Sequence, residues 1–300
     1  MTYAEDADYI KSRFHANQSG AYVAEVNEKL VGSNITTNWG SVGFFGPLTI
    51  HPDYWNKRIA QKLLEPTMKL FDKWNTKYAG LFTYANSLKH IDLYQKFNFW
   101  PYCLTVIMSK MVLHTHNTKS NLKWSKFSKL VDNKEINDIE QYQQKQLKFL
   151  NACRTLTNSI YNGLDLSIEI LSVYKQELGD TILLWQNHDS DNTNIIPIGL
   201  AVCHVGPGSE AGSNKCYVKF GAVKPGPNAE NFERLLEACE AFAAEKEMTH
   251  LIAGINTSRY NAYRKMLLKG FRSYMTGIIM QRYNEPGYNR PDVYAIDDWQ

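Results

Sequence analysis

The sequence predicts an α/β fold of the α+β kind, with a mixed sheet, made of two tandem copies of one unit at residues 1–118 and 119–300. Three observations carry that prediction. Apolar runs with strand character alternate with stretches whose apolar residues recur at helical spacing. The order of these elements repeats after a polar break. The repeat keeps its register: Ile50 aligns with Val223 and Phe99 with Phe271 at almost the same separation. Between these anchors, HPDYWNKRIAQKLL (51–64) matches KPGPNAENFERLL (224–236) with one residue deleted, and YQKFNF (94–99) matches MLLKGF (266–271) without a gap.

In the first copy, residues 6–14 have a helical pattern. Residues 21–26 and 30–34 form a hairpin about a turn at 27–29. Residues 44–50 read as an apolar strand. Residues 55–74 read as a helix, with Ile59, Leu63, Leu64, Leu70 and Phe71 on one face and Pro66 expected to kink or interrupt it. A short buried strand at 80–84, a helix at 88–97 and a long strand at 103–113 follow. The polar stretch 114–122 is the linker.

The second copy runs in the same order. Strand 124–130 and helix 136–150 come first, then strands 181–186 and 197–204 around a polar turn at 187–194. Strand 217–223, helix 232–245, strand 251–254, helix 259–268 and an extended segment at 271–282 complete it. Two segments lie outside the repeat. GPGSEAGSN (206–214) reads as a flexible hairpin tip; it lacks the Gly-Lys-Ser/Thr ending of a phosphate loop. The tail VYAIDDWQ (293–300) carries a Trp that should be buried, so it is expected to dock back on one of the copies.

Composition sets limits. Hydrophobic residues at 44%, charged residues at 21% and aromatics at 13% describe a globular chain with a core to build. A formal charge of +3 gives no nucleic-acid clamp, so no nucleic-acid partner is expected. No apolar run reaches the roughly 18 residues a membrane span needs, and the opening MTYAEDADYIKSRF has no signal-peptide core, so no membrane partner and a cytoplasmic location are expected. Cys103, Cys153, Cys203, Cys216 and Cys239 are scattered and odd in number, as for buried thiols in a reducing compartment, with a Cys203–Cys216 bridge across a hairpin as the lesser option. No metal-ligand spacing is present; His114 and His116 in the linker read as solvated.

The chemistry is expected at residues 47–64. A strand that runs through a loop into a helix N-terminus presents free N–H groups and the positive end of a helix dipole. Lys57 and Arg58 add charge there. Ile50-His51-Pro52 followed by Trp55-Asn56-Lys57-Arg58-Ile59-Ala60 resembles the acetyl-CoA motif of the GNAT family of N-acetyltransferases, an apolar strand with Val-x-Pro and then Arg/Gln-x-x-Gly-x-Gly/Ala. Ala60 satisfies the motif, Trp55 replaces Arg or Gln, and Arg58 replaces the central glycine. Leu93-Tyr94-Gln95-Lys96-Phe97-Asn98-Phe99 follows the family's Leu-Tyr-x-x-x-Gly-Phe, with Asn98 for glycine. Ser87 falls at the family's Asn position, beside Asn86.

This resemblance implies acetyl-CoA as cosubstrate and direct transfer of its acetyl group to a primary amine of a small molecule or peptide. It implies that the backbone of Leu48, Thr49 and Ile50 orients the thioester, that residues 56–60 hold the pyrophosphate, and that Trp55, Asn86 and Ser87 also bind the coenzyme. Tyr94 then protonates the departing thiolate, a task suited to a phenol. It also implies an opening strand that the first copy lacks. The second copy has Met266 in place of Tyr94 and Glu230 in its shortened loop, while keeping Ala262 and Gly270-Phe271. It reads as a structural or substrate-shaping partner.

For the general base, Glu25 on the first hairpin is the leading candidate, with His51 and His90 behind it. Two rival readings stand beside the enzyme: a non-catalytic acyl-CoA-binding or interaction module, and an unrelated nucleotide-binding α/β fold, which would need a mainly parallel sheet. A monomer or homodimer fits either copy number.

Overall fold

A computed structural model describes residues 6–113, 123–132, 139–186, 196–226, 229–283 and 285–299. The predicted linker at 114–122 and the polar turn at 187–194 lie outside these residues.

In the first half, helix α1 (Tyr9–Ala16) is capped by Asp8, whose side chain accepts from the Lys11 amide. Strands β1 (Ala21–Val26) and β2 (Lys29–Trp39) form the hairpin. Then come β3 (Val42–Phe45), β4 (Thr49–Ile50), α2 (Ile59–Lys73), β5 (Tyr78–Thr83), α3 (Leu88–Gln95) and β6 (Phe99–Met111). The second half has β7 (Trp124–Lys126), α4 (Phe127–Val131), α5 (Ile139–Ile160), α6 (Ser167–Lys175), β8 (Gly179–Leu184) and β9 (Gly199–Gly206). It closes with β10 (Gly212–Val223), α7 (Ala229–Glu245), β11 (His250–Asn256), α8 (Tyr260–Leu268), β12 (Arg272–Arg282) and β13 (Ala295–Ile296).

One continuous sheet joins both halves in the order β1-β2-β3-β5-β12-β6-β11-β10-β9-β8-β7. The last strand of each half has crossed to the other. β12 lies between β5 and β6, and β6 lies between β12 and β11, all antiparallel. The parallel pairs are β3 with β5 and β10 with β11, one in each half. A sheet so largely antiparallel rules out the doubly wound nucleotide fold held as a rival. The core spans the halves as well: Trp39, Val42, Phe44 and Tyr78 of the first half cluster with Phe127, Ile170, Leu200 and Phe220 of the second.

Several expectations need correction. The segment 44–50 is two strands: β3 ends at Phe45, β4 begins at Thr49, and both pair with β2 while only β3 pairs with β5. The helix expected from residue 55 begins at Ile59; residues Pro52–Tyr54 form a single 3₁₀ turn first. Pro66 does not interrupt α2, which runs unbroken from Ile59 to Lys73 under the packing of Leu63, Leu64, Leu70 and Phe71. Residues 127–131 are helical rather than strand, since a short apolar run fits either state until packing decides. Helix α6 had no sequence-based counterpart. Cys203 and Cys216 are free thiols, opposite Val218 and Val205 respectively rather than each other.

The glycine-rich loop is also not a free tip. Its Ser209, Glu210 and Ala211 are buried, and it packs on α1 through Asp8 N–H to Ser209 O at 2.9 Å. Glu210 ion-pairs with Arg13 at 2.8 Å and with Lys219 at 2.6 Å, and Lys219 reaches Glu169 at 2.9 Å. Burial alone would raise the Glu210 carboxyl, but the Arg13 and Lys219 charges hold it well below the usual range. Two cations against two carboxylates is the balance a buried cluster needs. Arg13 Nη1 also donates to Gly46 O at 2.8 Å, which ties the cluster to the segment between β3 and β4.

The tail docks as expected. β13 pairs with β10, and Trp299 is only 3% exposed, stacked on Phe44 at 6.0 Å and edge-on to Tyr78 at 5.1 Å.

Candidate functional site

The site follows from the way β3 and β5 separate. They pair at Val42–Tyr78, Gly43–Ala79 and Phe44–Gly80, and then part. Beyond the break, β4 is drawn to β2, and His51 N–H donates to Val31 O at 2.8 Å. Successive amides along a strand alternate direction, so the Ile50 N–H points away from β2 into the gap. The Trp55 Nε1–H bonds to Ile50 O at 2.9 Å and fixes the indole at the mouth of the loop.

Helix α2 opens onto the same gap. Its first intrahelical bond runs from Lys62 N–H to Arg58 O, so the amides of Ile59, Ala60 and Gln61 precede the ladder. No side chain caps this end. Cations surround it: Lys57 lies 4.6 Å over the Tyr54 ring and Lys89 5.0 Å over Trp55. An uncapped N-terminus ringed by basic residues attracts a polyanion.

Arg58 adopts a left-handed conformation, φ 60° and ψ 17°. A glycine would take this conformation without strain. Arg58→Gly is therefore expected to raise unliganded stability by up to about 1 kcal/mol, and Arg58→Val to lower it by about the same amount. Calorimetric unfolding of the two variants checks both signs. Asn98 likewise has φ 65°, where the second half has Gly270 at φ 92°.

Between α2 and α3 lies a cleft of about 940 Å³. Leu48, Thr49, Ile50, Trp55, Asn56, Arg58, Ile59, Ala60 and Tyr94 all line it, so the structure brings most of the predicted residues together. Lys57 stands beside it on Tyr54. Asn86 and Ser87 sit in the turn before α3, outside the wall; Ser87 Oγ is 2.9 Å from His90 Nδ1. The wall also holds Tyr54, Gln61, Lys89, His90, Asp92, Leu93 and Lys96. Of these the sequence reading raised only His90. His90 stands one turn before Tyr94 along α3, whereas Lys89, five residues before it, carried no such spacing signal.

Tyr94 is 7% exposed and meets Phe45, the last residue of β3, edge-on at 5.6 Å. Burial pushes its phenol up to about 12, so the group is a protonated donor throughout the neutral range. Burial, and then the Lys89 charge, lower the pKa of His90, which favours the neutral imidazole. Glu25 is not part of this assembly. It is exposed, and its neighbours Tyr22, Ala24 and Val26 are the β1 residues that pack against the α2 side.

In the second half, ion pairs link the two corresponding helices. Lys265 of α8 pairs with Glu233 of α7, and Lys269 reaches Glu233 at 3.1 Å and Glu237 at 2.7 Å. In the repeat alignment Glu233 and Lys265 fall on Gln61 and Leu93, which line the open cleft of the first half. Met266, at the Tyr94 position, is fully buried.

No helix among the described residues is long and apolar enough to cross a membrane. The acetyltransferase (GNAT) family model matches residues 2–99. No curated protein matches the sequence. Among solved structures, the chain is similar to a Pyrococcus horikoshii protein assigned as an acetyltransferase, at 11% identity and TM-score 0.62, over 96% of this chain and 82% of that one. It is also similar to a tandem GNAT protein from the clavulanic acid biosynthesis pathway, at 9% identity and TM-score 0.52, over 93% and 90%. A GCN5-related N-acetyltransferase from Sphaerobacter thermophilus matches at 10% identity and TM-score 0.50, over 89% and 82%. At such identities the likeness is one of fold. Residues 2–99 thus match the GNAT acetyltransferase family model, and the chain as a whole shares the fold of these acetyltransferase structures, a tandem GNAT protein among them.

Proposed function

We propose that the chain is an N-acetyltransferase with one donor site, in the cleft between α2 and α3 of the first half. The observation that carries this reading is that a single cavity joins the uncapped α2 N-terminus to Tyr94. The amides of residues 59–61 and the nearby cations receive the pyrophosphate of acetyl-CoA. The outward Ile50 N–H, beside Leu48 and Thr49, orients the acyl arm in the gap beyond Phe44–Gly80.

A neutral amine of a small molecule or peptide attacks the thioester carbonyl. The tetrahedral intermediate collapses with cleavage of the C–S bond, and the sulfur takes the Tyr94 proton. The attacking nitrogen gives its proton to bulk water, and the Tyr94 phenolate regains one from water, so the cycle closes without a net proton change on the protein. Glu25 has no part in it, because β1 holds it outside the cleft. The five free thiols fit a reducing cytoplasm.

The second reading, a non-catalytic acyl-CoA binder, draws on the missing glycines. Arg58 and Asn98 adopt the positive φ of the residues they replace, so the loop is preserved without them. Titration calorimetry with acetyl-CoA is expected to give one site per chain, and thiol release over an amine panel to give turnover. Binding without turnover would favour the binder; two equal sites would remove the assignment to the first half.

A further inference from the structure

The gap between β10 and β11 is the second half's counterpart of the gap between β3 and β5. These strands also pair in parallel, from Lys215–His250 to Val218–Ala253, and then part. Here the gap is filled. β13 lies antiparallel along the edge of β10 that β11 leaves, with Gly221 opposite Ile296 and Ala222 opposite Ala295. The Val223 N–H donates to Tyr294 O at 3.2 Å. Val223 aligns with Ile50, whose amide points into the open gap of the first half.

The far wall, β11, is shaped to the tail as well: a methyl group at Gly254 would overlap Asp298. Past the gap the tail crosses to the first half, where a methyl group at Gly80 of β5 would overlap Trp299. Buried Arg259, the residue that caps the start of α8, donates to Ala295 O at 3.0 Å and pairs with the Asp297 carboxylate. Tyr217 donates to Asp298 at 2.7 Å. The β10 backbone, Arg259, Tyr217 and Gly254 therefore form a built groove for an extended peptide, and Gly80 seats its last ring.

We infer that the second half's strand gap is a peptide-binding groove whose ligand is the chain's own segment 293–299, bound where an acyl arm lies in the first half. The comparison with an acyl arm rests on the proposed first-half donor site; the peptide groove itself does not. The second half is a donor fold filled in cis. Its occupant ends against the first half, where Trp299 packs on Phe44 and Tyr78, the strand pair from which the donor gap opens. Tail occupancy therefore braces the working site.

The test uses the full chain with a protease site in the exposed turn at 290–292. After nicking of the folded protein, the tail peptide is expected to remain bound through gel filtration. It should exchange with an added synthetic 293–300 peptide but not with its Ile296→Asp form. A peptide that elutes separately while Tm stays unchanged would overturn the inference. A second measurement needs no cutting. On addition of acetyl-CoA, hydrogen exchange is expected to slow at residues 48–50 and to stay unchanged at 219–223. Slowing at 219–223 would mean that the coenzyme displaces the tail and would overturn the inference. Absence of slowing at 48–50 would count against the first-half donor site alone, while the nicked peptide would still decide the groove.

Discussion

Tyr94→Phe is expected to lower kcat about 100-fold while leaving acetyl-CoA affinity within about twofold. The substitution keeps the ring, and so keeps its contact with Phe45 at 5.6 Å. It removes only the proton that the sulfur needs as the C–S bond breaks. An interaction made in the transition state alone shows in kcat rather than in binding. Single-turnover thiol release separates the two. The pH profile gives an independent check. With its pKa raised to about 12 by burial, Tyr94 keeps its proton through the range in which the protein is assayed. Its loss of function belongs near pH 12, and a falling limb near pH 8 would assign the acid to another group. The same shift bears on stability. The folded value lies above the ordinary 10.0, so stability from the buried phenol is complete below pH 10 and is lost as pH rises towards 12.

Ala60→Asp is expected to weaken acetyl-CoA binding about 100-fold without loss of Tm. Ala60 is the second residue of α2 and lines the cleft. A carboxylate in the first turn of a helix is mildly stabilising on its own, by roughly 0.5 kcal/mol. Facing a pyrophosphate, it adds repulsion at close range, on the order of 1–2 kcal/mol for each phosphate charge at the effective dielectric of a protein surface. Acetyl-pantetheine lacks those charges and should lose little affinity. Equal losses for both ligands would move the pyrophosphate away from the α2 N-terminus.

The helix and the cleft wall were legible in the sequence for different reasons. Ile59, Leu63, Leu64, Leu70 and Phe71 mark one face of α2 by their spacing, and that pattern is local. Tyr94 was legible from its motif, and its position beside Phe45 followed once α3 was seated. The exchange of β6 and β12 was not legible. Alternation along a strand tells which face is buried, but not which strand lies alongside, and both segments fit either half. The placement of Glu25 failed for a related reason: its strand was read correctly, but only packing against α2 decides which β1 residues face the cleft side. Glu210 looked like part of a solvated loop because its partners, Arg13 and Lys219, are not local to it; Arg13 lies in the other half of the chain. The tail's burial could be read from Trp299, but not the groove that holds it, since Gly254 and Gly80 come from different halves.

The central claim is that the first half holds the chain's one acyl-CoA site. Crystals grown with acetyl-CoA test it most directly. The account predicts electron density for one coenzyme per chain, with the pyrophosphate on the amides of residues 59–61, the acyl arm beside Ile50 and the sulfur within hydrogen-bond reach of the Tyr94 hydroxyl. Density at the α7 N-terminus with the tail displaced, or an empty first-half cleft at millimolar acetyl-CoA, would contradict it.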